Sequence, residues 1–282
     1  MNSPVKHHFN PAFSLKPWAG TDGQLCEMKR INGKVVPRRA HPNATGFQKN
    51  LYRTDGVGAE YEQHLELNVM KPLDTAAERA LKKILSGDST PWDSAERSAW
   101  TRYILSLLFR NPQAVQGLKD HVREMHRGRA HPTDAEIGAT NLLIDIIDND
   151  RLGPTICDMH WSRVPLTGSK FSLLNSDRPL VLPLGLNDPR AYIAFPIGPD
   201  MLFLASNDET LARFIFDGDH TRAAKKLNKT VVSQAREFVW GVDDCQLPFV
   251  QKHMGTAPER SLLTEAQRQE ALDVAQGRKT IS

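Results

Sequence analysis

Cysteine is scarce in this chain of 282 residues, and its placement excludes motifs that depend on neighbouring thiols. The three cysteines are Cys26, Cys157 and Cys245, and no two of them form a C-x-x-C pair. A zinc knuckle and a dithiol redox motif are therefore not encoded. We expect the thiols to be reduced and the protein to be cytoplasmic.

Long apolar runs are also missing. The N-terminal residues lack the apolar segment of a signal peptide, and the most apolar later stretch, 191–205, is interrupted by Pro196, Pro199 and Asp200. We therefore expect neither a cleaved leader nor a membrane span, and no membrane partner.

Familiar catalytic motifs are absent from the sequence. None of the patterns H-E-x-x-H, G-x-S-x-G and G-x-G-x-x-G occurs. Residues 168–170 resemble part of a phosphate loop, but Phe171 stands where Ser or Thr would bind magnesium. Residues 217–220 resemble the start of a calcium loop, but its twelfth position is Asn228 where a bidentate Glu is required. Asp219 is better interpreted as a helix N-cap.

The composition is that of a folded globular protein, with 40% hydrophobic and 24% charged residues. Lys and Arg number 36 against 33 Asp and Glu, a formal charge of +3. This balance neither requires nor excludes a polyanionic partner.

The first two thirds of the chain predict a β-hairpin followed by helices. Asn32-Gly33 is a preferred type I′ turn and predicts paired strands between Leu25 and Arg39. Apolar spacing predicts two helices between residues 58 and 85, separated by Pro72, and then a core helix capped by Asp93 or Ser94. That helix should end before Asn111-Pro112. Two further helices are predicted over 114–127 and 134–148.

The last third predicts strands and flanking helices. Short apolar runs predict strands over 157–164, 171–174, 180–182, 192–195 and 201–205. Helices follow, from 207 or 208 to 216 and from 219 to about 238. The prediction is one α+β domain over 1–250, with an N-terminal hairpin, a helical middle and a C-terminal mixed or antiparallel sheet flanked by helices. Residues 251–282 are predicted to be a polar tail with a marginal helix.

Several short motifs resemble those of an uncharacterised bacterial family, domain of unknown function 4238. Residues 8–15, HFNPAFSL, are similar to its His-Tyr-x-Pro-x-Phe-x-Leu opening, with Asn10 where valine is usual. The other matching segments, in chain order, are Tyr52, 60–62, 107–112, 171–179, 195–199 and 227–228. The resemblance covers about residues 8–240 and implies one continuous domain, but it implies no settled activity.

Four polar residues in or near these motifs are the candidate catalytic residues. Arg110 follows a nearly apolar helical turn, so its guanidinium either pairs with an anion or ends the helix in water. Asp177 either contributes a carboxylate or closes a turn on its own backbone. Glu62 is either a site residue or an exposed helix carboxylate. His8 is either a general base or metal ligand, or a packed and hydrogen-bonded histidine.

Together these residues support a hypothesis of convergence. His8, Glu62, Arg110 and Asp177 would form the catalytic centre, and Asn10 and Asn228 would bind substrate. A histidine, carboxylates and an arginine can deprotonate water and stabilise a phosphorane, which fits hydrolysis of a nucleic acid or nucleotide. A divalent metal held by His8 and a carboxylate is compatible, although no ligand signature is present. A buried Arg-carboxylate network that only stabilises the fold is the other interpretation.

A basic helix face is the candidate nucleic-acid contact. Arg222, Lys225, Lys226 and Lys229 recur at helical spacing. They form either a phosphate-binding surface or a solvated helix face. The functional hypothesis is a hydrolase of a nucleic acid or nucleotide phosphodiester. The alternative is a non-catalytic interaction protein with an unknown protein partner, for which the family resemblance, and no residue of the sequence, implies a bacterial defence or toxin-type system.

Overall fold

The computed structural model describes residues 6–54, 56–58, 61–125 and 132–258, which adopt an α+β fold. The predicted fold class is confirmed: an N-terminal hairpin, a helical middle and a C-terminal antiparallel sheet follow one another along the chain. A short strand, β1 (Lys6–His8), precedes the hairpin and pairs with β4 (Phe47–Lys49). A single helical turn, α1 (Ala12–Leu15), continues into a 3₁₀ turn, Lys16–Trp18.

The hairpin consists of β2 (Leu25–Ile31) and β3 (Lys34–Ala40). Asn32 and Gly33 connect the strands with φ values of 49° and 82°, the left-handed conformations that a type I′ turn requires. Two C-terminal strands extend this sheet, β9 (Phe238–Gly241) beside β2 and β6 (Asn175–Ser176) beside β9. The hairpin is thus held to the last third of the chain.

A separate antiparallel sheet contains β5 (His160–Pro165), β7 (Tyr192–Gly198) and β8 (Met201–Ser206) in the order β5-β8-β7. Not all five apolar runs form the strands that the sequence predicted. Residues 157 and 158 end the helix α6 (Leu152–Asp158), and Val181 makes only an isolated bridge to Ala194.

The apolar run 171–174 is buried at its end without forming a strand. The Leu173 amide donates to the Pro199 carbonyl at 2.6 Å, and the Leu174 amide donates to the Asn228 side chain at 2.9 Å. Since these partners satisfy the backbone, burial here does not require a strand neighbour.

The helical middle consists of α2 (Lys71–Ser86), α3 (Ser94–Phe109), α4 (Pro112–Met125) and α5 (Pro132–Ile147). Asp93 caps α3 and forms a capping box with Glu96, as its position predicted. The helix ends before Asn111-Pro112, also as predicted, and Pro112 begins α4 because the first helical position needs no N–H partner.

The segment before α2 differs from its prediction. Residues Leu65–Met70 form a π-helix that continues directly into α2. Pro72 therefore does not separate two helices; it lies in the first turn of α2, where its missing N–H is tolerated. The Lys71 amide bonds back to the Glu66 carbonyl, five residues earlier, which widens the turn just before the proline.

The C-terminal helices are α7 (Leu211–Phe216), α8 (His220–Gln234) and α9 (Leu247–His253). Asp219 caps α8 as expected, but α8 ends at Gln234 because the following residues enter β9. Ordered structure continues past residue 250, since α9 ends at His253 and Met254 is buried. The predicted tail helix lies outside the described residues, as do residues 126–131.

The main apolar core joins α3 to the β5-β8-β7 sheet. Trp100 and Tyr103 of α3 contact Phe195 of β7, and Trp100 also meets Phe203 of β8. Phe13 of α1 packs on Tyr103, with ring centroids 5.2 Å apart. This contact fixes the N-terminal segment beside the end of α3. Within the described ranges, no helix has both the length and the apolar character needed to cross a bilayer.

Candidate functional site

A pocket of about 370 Å³ lies between the N-terminal segment and the start of α2. Strand β1, the turn around α1, the π-helix and α2 all contribute to its wall. The polar residues that line it are His8, Lys16, Asn43, Glu66, Lys71, Asp74, Thr75 and Glu78. Of the predicted catalytic residues, this wall contains His8 alone.

His8 is oriented by the pairing of β1 with β4. Side chains alternate along a strand, and here His7 is buried against Tyr52 while His8 lines the pocket. The Tyr52 amide donates to His7 Nδ1 at 2.8 Å, and the His8 ring meets Phe47 edge-on at 5.6 Å. The buried Nε2 of His8 has no hydrogen-bond partner within the described chain. This nitrogen is therefore not committed to another group of the described chain.

The environment keeps His8 neutral. Burial lowers its pKa below 6.5, and the nearby charge of Arg110 lowers it further, while Asp74 partly opposes them. A neutral imidazole near neutral pH has one nitrogen lone pair available as a base.

Glu66 is the second titratable group with a free atom in the pocket wall. It belongs to the π-helix, and its Oε2 is buried without a hydrogen-bond partner in the described part of the chain. Burial raises its pKa to about 7, an effect that Arg110 opposes and Asp74 reinforces. A substantial fraction of Glu66 is thus protonated near neutral pH, when it can donate a proton.

Arg110 is almost fully buried, at 1% exposure, and its partner is Asp74. The guanidinium donates to both Asp74 oxygens, at 2.7 and 3.0 Å, and to the His8 carbonyl at 2.8 Å. Longer contacts reach the Tyr52 hydroxyl at 3.4 Å and the Ser106 hydroxyl at 3.5 Å. These contacts engage all five N–H donors, so none is left for a substrate phosphate.

The Arg110 guanidinium stays protonated. Burial alone would lower the pKa of Arg110, but Asp74 raises it, and the net shift is upward. Arg110 also fixes the pocket, because it holds the backbone of His8 on one side and the Asp74 carboxylate on the other.

Asp177 lies away from the pocket wall and is 4% exposed. Its carboxylate accepts backbone N–H bonds from Arg236 at 3.0 Å, Glu237 at 2.6 Å and Phe238 at 3.1 Å. Burial raises the pKa of Asp177, and these amides oppose that shift. The arrangement resembles a turn anchor that positions the start of β9, and it leaves no carboxylate oxygen directed at His8.

Glu62 pairs with Arg53 at 2.9 Å, and its side chain is 27% exposed. Asn10 donates to Asn175 Oδ1 at 2.9 Å and to the Ser176 carbonyl at 3.2 Å, joining the N-terminal segment to β6. Neither residue lines the pocket. The predicted convergence of the carboxylates Glu62 and Asp177 on His8 therefore does not occur in the structure, because each carboxylate is held by partners of its own.

Asn228 has a structural environment on the buried face of α8. Its Oδ1 accepts from the Leu174 amide at 2.9 Å, and its Nδ2 donates to the Ser172 carbonyl at 2.8 Å and to Gln246 at 3.0 Å. These bonds hold the 171–174 loop. They leave Asn228 without a route to the pocket.

Sequence reasoning did not single out Glu66, Lys16, Lys71 or Asp74. Glu66 follows Glu62 by one helical turn, so spacing alone could not choose between the two. Asp74 lies in the first turn of a helix, where an acidic residue is ordinary. The only local signal was Pro72, which marks the widened turn that presents Glu66.

No metal centre is evident in the described ranges. In 6–54, 56–58, 61–125 and 132–258, no group of three or more His, Cys, Asp or Glu side chains is arranged to hold an ion.

The basic face of α8 is formed as predicted: Arg222, Lys225, Lys226 and Lys229 are all exposed on one helix.

Comparison with known proteins identifies a family. Residues 6–244 match the family described as "Protein of unknown function (DUF4238)". The chain belongs to this family. No curated protein and no solved structure matches the chain.

Proposed function

We propose that the pocket is the active site of a hydrolase that cleaves a phosphodiester in a nucleic acid or nucleotide, with His8 as general base and Glu66 as general acid. The observation that carries the proposal is the pair of buried, unpartnered atoms, His8 Nε2 and Glu66 Oε2, in the wall of one pocket. Buried polar atoms are nearly always satisfied by protein, water or ligand. A pocket with two such atoms has donor and acceptor positions for a substrate.

The reaction follows from the protonation states. His8 accepts a proton from water, the water oxygen forms a bond to phosphorus, and Glu66 gives its proton to the leaving ester oxygen as the P–O bond breaks. Returning the proton from His8 to Glu66 through solvent restores both groups. Lys16 and Lys71 on the pocket wall supply positive charge for the non-bridging oxygens.

This mechanism reassigns two predicted roles. Glu66 takes the place of Glu62 and Asp177, whose carboxylates are held elsewhere. Arg110 positions His8 through its backbone carbonyl and does not bind phosphate. The proposed location is the cytoplasm, where Cys26, Cys157 and Cys245, which are free, would stay reduced.

The alternative function also has support. Arg110 and Asp177 are fully engaged within the fold, as a structural network would require. A non-catalytic interaction protein of a bacterial defence or toxin-type system would need no more than this. The hydrolase is preferred because His8 and Glu66, each with a buried unpartnered atom, line the same pocket.

The test is hydrolysis of bis(p-nitrophenyl) phosphate and of a fluorescent single-stranded oligonucleotide by His8→Ala and Glu66→Gln. Each variant should lose about 10²- to 10⁴-fold in rate while remaining folded at the assay temperature. The matched controls are His64→Ala and Glu62→Gln. Both residues lie close to Glu66 in the sequence, but neither lines the pocket.

The pH profile adds a second readout. The rate should rise as His8 loses its proton, below pH 6.5, and fall as Glu66 ionises at about 7. Retention of the wild-type rate by either pocket variant, or a wild type without activity on both substrates, would favour the interaction protein.

A further inference from the structure

Exposed phenylalanine rings cluster near the start of α8. Phe214 is 76% exposed and Phe216 is 54% exposed, both on the short helix α7, while Phe171 is 38% exposed on the loop between β5 and β6. Soluble proteins seldom expose several large rings in one region without an interaction.

Specific contacts bring the segments that carry these rings to the same end of α8. The Phe216 ring lies 6.3 Å from the His220 ring, and His220 also bonds the Thr167 carbonyl through Nδ1 at 2.8 Å. The Thr221 hydroxyl accepts from the Lys170 amide at 3.2 Å. The loop that presents Phe171 and the helix that presents Phe214 and Phe216 therefore meet at the first turn of α8.

A row of cations continues from that point along α8. Arg222, Lys225, Lys226 and Lys229 are exposed, and none forms an ion pair with a carboxylate in the described ranges. The row extends roughly 10 Å, at about 1.5 Å per residue. Asp217 and Asp219 precede it, and Asp219 is engaged as the N-cap, so the positive field begins at Arg222.

We propose that the rings Phe171, Phe214 and Phe216 and the α8 cations form one surface, here called the α7–α8 surface, that binds single-stranded nucleic acid. Bases stack on exposed aromatic rings while phosphates follow a line of Lys and Arg, which is the usual arrangement in proteins that hold single strands. The inference deepens the proposed hydrolase by naming its substrate class, and it rests on that proposal only for the claim that the bound strand is cleaved.

The composition of the surface favours a single strand over other polyanions. Duplex bases are already stacked and leave the rings without a partner. An anionic membrane would require an apolar helix face for insertion, but the apolar face of α8, including Ala224, Val231 and Val232, is buried in the core.

The experiment is fluorescence anisotropy with a labelled oligo(dT) strand, read in the His8→Ala background so that cleavage does not affect the result. Phe214→Ala/Phe216→Ala should weaken binding at least about fivefold, because each lost stacking contact costs that much or more. Lys225→Glu/Lys226→Glu should weaken binding and reduce the slope of log K against log salt by about 1.4, the value for two phosphate contacts on a single strand.

The controls are Tyr61→Ala, which removes an exposed ring elsewhere, and Lys49→Glu/Arg151→Glu, which reverses two exposed charges elsewhere. Both should bind like the parent. The inference would be overturned if test and control variants lost affinity equally, or if the protein preferred duplex DNA to the single strand. It would also be overturned if the test variants lost binding to phosphatidylserine vesicles but kept binding to oligo(dT). Strand binding without hydrolysis by the wild type would retain the surface and reject the enzyme.

Discussion

The two sides of the Asp74 carboxylate differ in how completely their polar atoms are satisfied. On the core side, Arg110 uses every donor, and its partners are a carboxylate, a carbonyl and two hydroxyls. On the pocket side, His8 Nε2 and Glu66 Oε2 are buried with no partner in the described chain. Under the proposed function, the Arg110 side of Asp74 contributes stability and the pocket side carries the chemistry.

This division explains why a conspicuous arginine need not be catalytic. A guanidinium at 1% exposure must be paired to be stable, and once paired it is a rigid support. Arg110 holds the His8 carbonyl at 2.8 Å, so it still affects the site through the position of the imidazole. The Asp74 carboxylate belongs to both sides, since it pairs with Arg110 and also lines the pocket.

Arg110→Ala is expected to cause the largest loss of stability and tests the core side of this comparison. It strands the Asp74 carboxylate and the His8 carbonyl, so the free energy of unfolding should fall by about 3–5 kcal/mol. Urea denaturation measures the change. The control is Arg102→Ala, which removes an exposed pair with Asp148 and should cost less than about 1 kcal/mol.

Two further results decide the interpretation of that variant. Arg110→Lys should fold with an intermediate stability, because an ammonium keeps the charge but not the forked geometry. If Arg110→Ala and Arg102→Ala cost the same, the core side of Asp74 contributes no special stability and the division fails.

Asp177→Ala tests whether a second buried carboxylate contributes stability and not catalysis. It removes the acceptor of three backbone N–H groups before β9, so we expect a loss of about 3 kcal/mol in unfolding free energy. Hydrolysis per folded molecule should not change. Asp88→Ala, in an exposed turn, is the control. Lost hydrolysis at unchanged stability would instead restore the catalytic role that the sequence predicted for Asp177.

The sequence predicted those parts of the fold that depend on local signals. Asn32-Gly33 predicted its turn, Asp93 or Ser94 predicted the start of α3, and Asn111-Pro112 predicted its end. Which of the apolar runs become strands was not predictable in the same way. It depends on contacts between distant segments, such as the Leu174 amide bonding to Asn228.

Only part of the site could be predicted from the sequence, for the same reason. The sequence suggested His8 and Arg110 as members of one site, and the structure shows the Arg110 guanidinium bonded to the His8 backbone carbonyl. The carboxylate that pairs with Arg110 is determined by the folded geometry and not by residue type. The four candidates are chemically alike: Glu62, Glu66, Asp74 and Asp177. Glu66 became distinct only through burial and the π-helix that presents it.

The smallest expected effect, Glu66→Gln, tests the pocket side through the pH dependence of stability. Burial raises the pKa of Glu66 from 4.5 to about 7 in the folded state. Between these two values the folded protein binds more protons than the unfolded chain, so the free energy of unfolding falls as the pH rises. Glu66→Gln removes this contribution, and its melting temperature should decline less than that of the wild type across that interval, by a few degrees. Thermal unfolding at both ends of the interval measures the slope, and Glu62→Gln should keep the slope of the wild type. Identical slopes for Glu66→Gln and the wild type would mean that Glu66 ionises as in water, which would remove the general acid from the proposed mechanism.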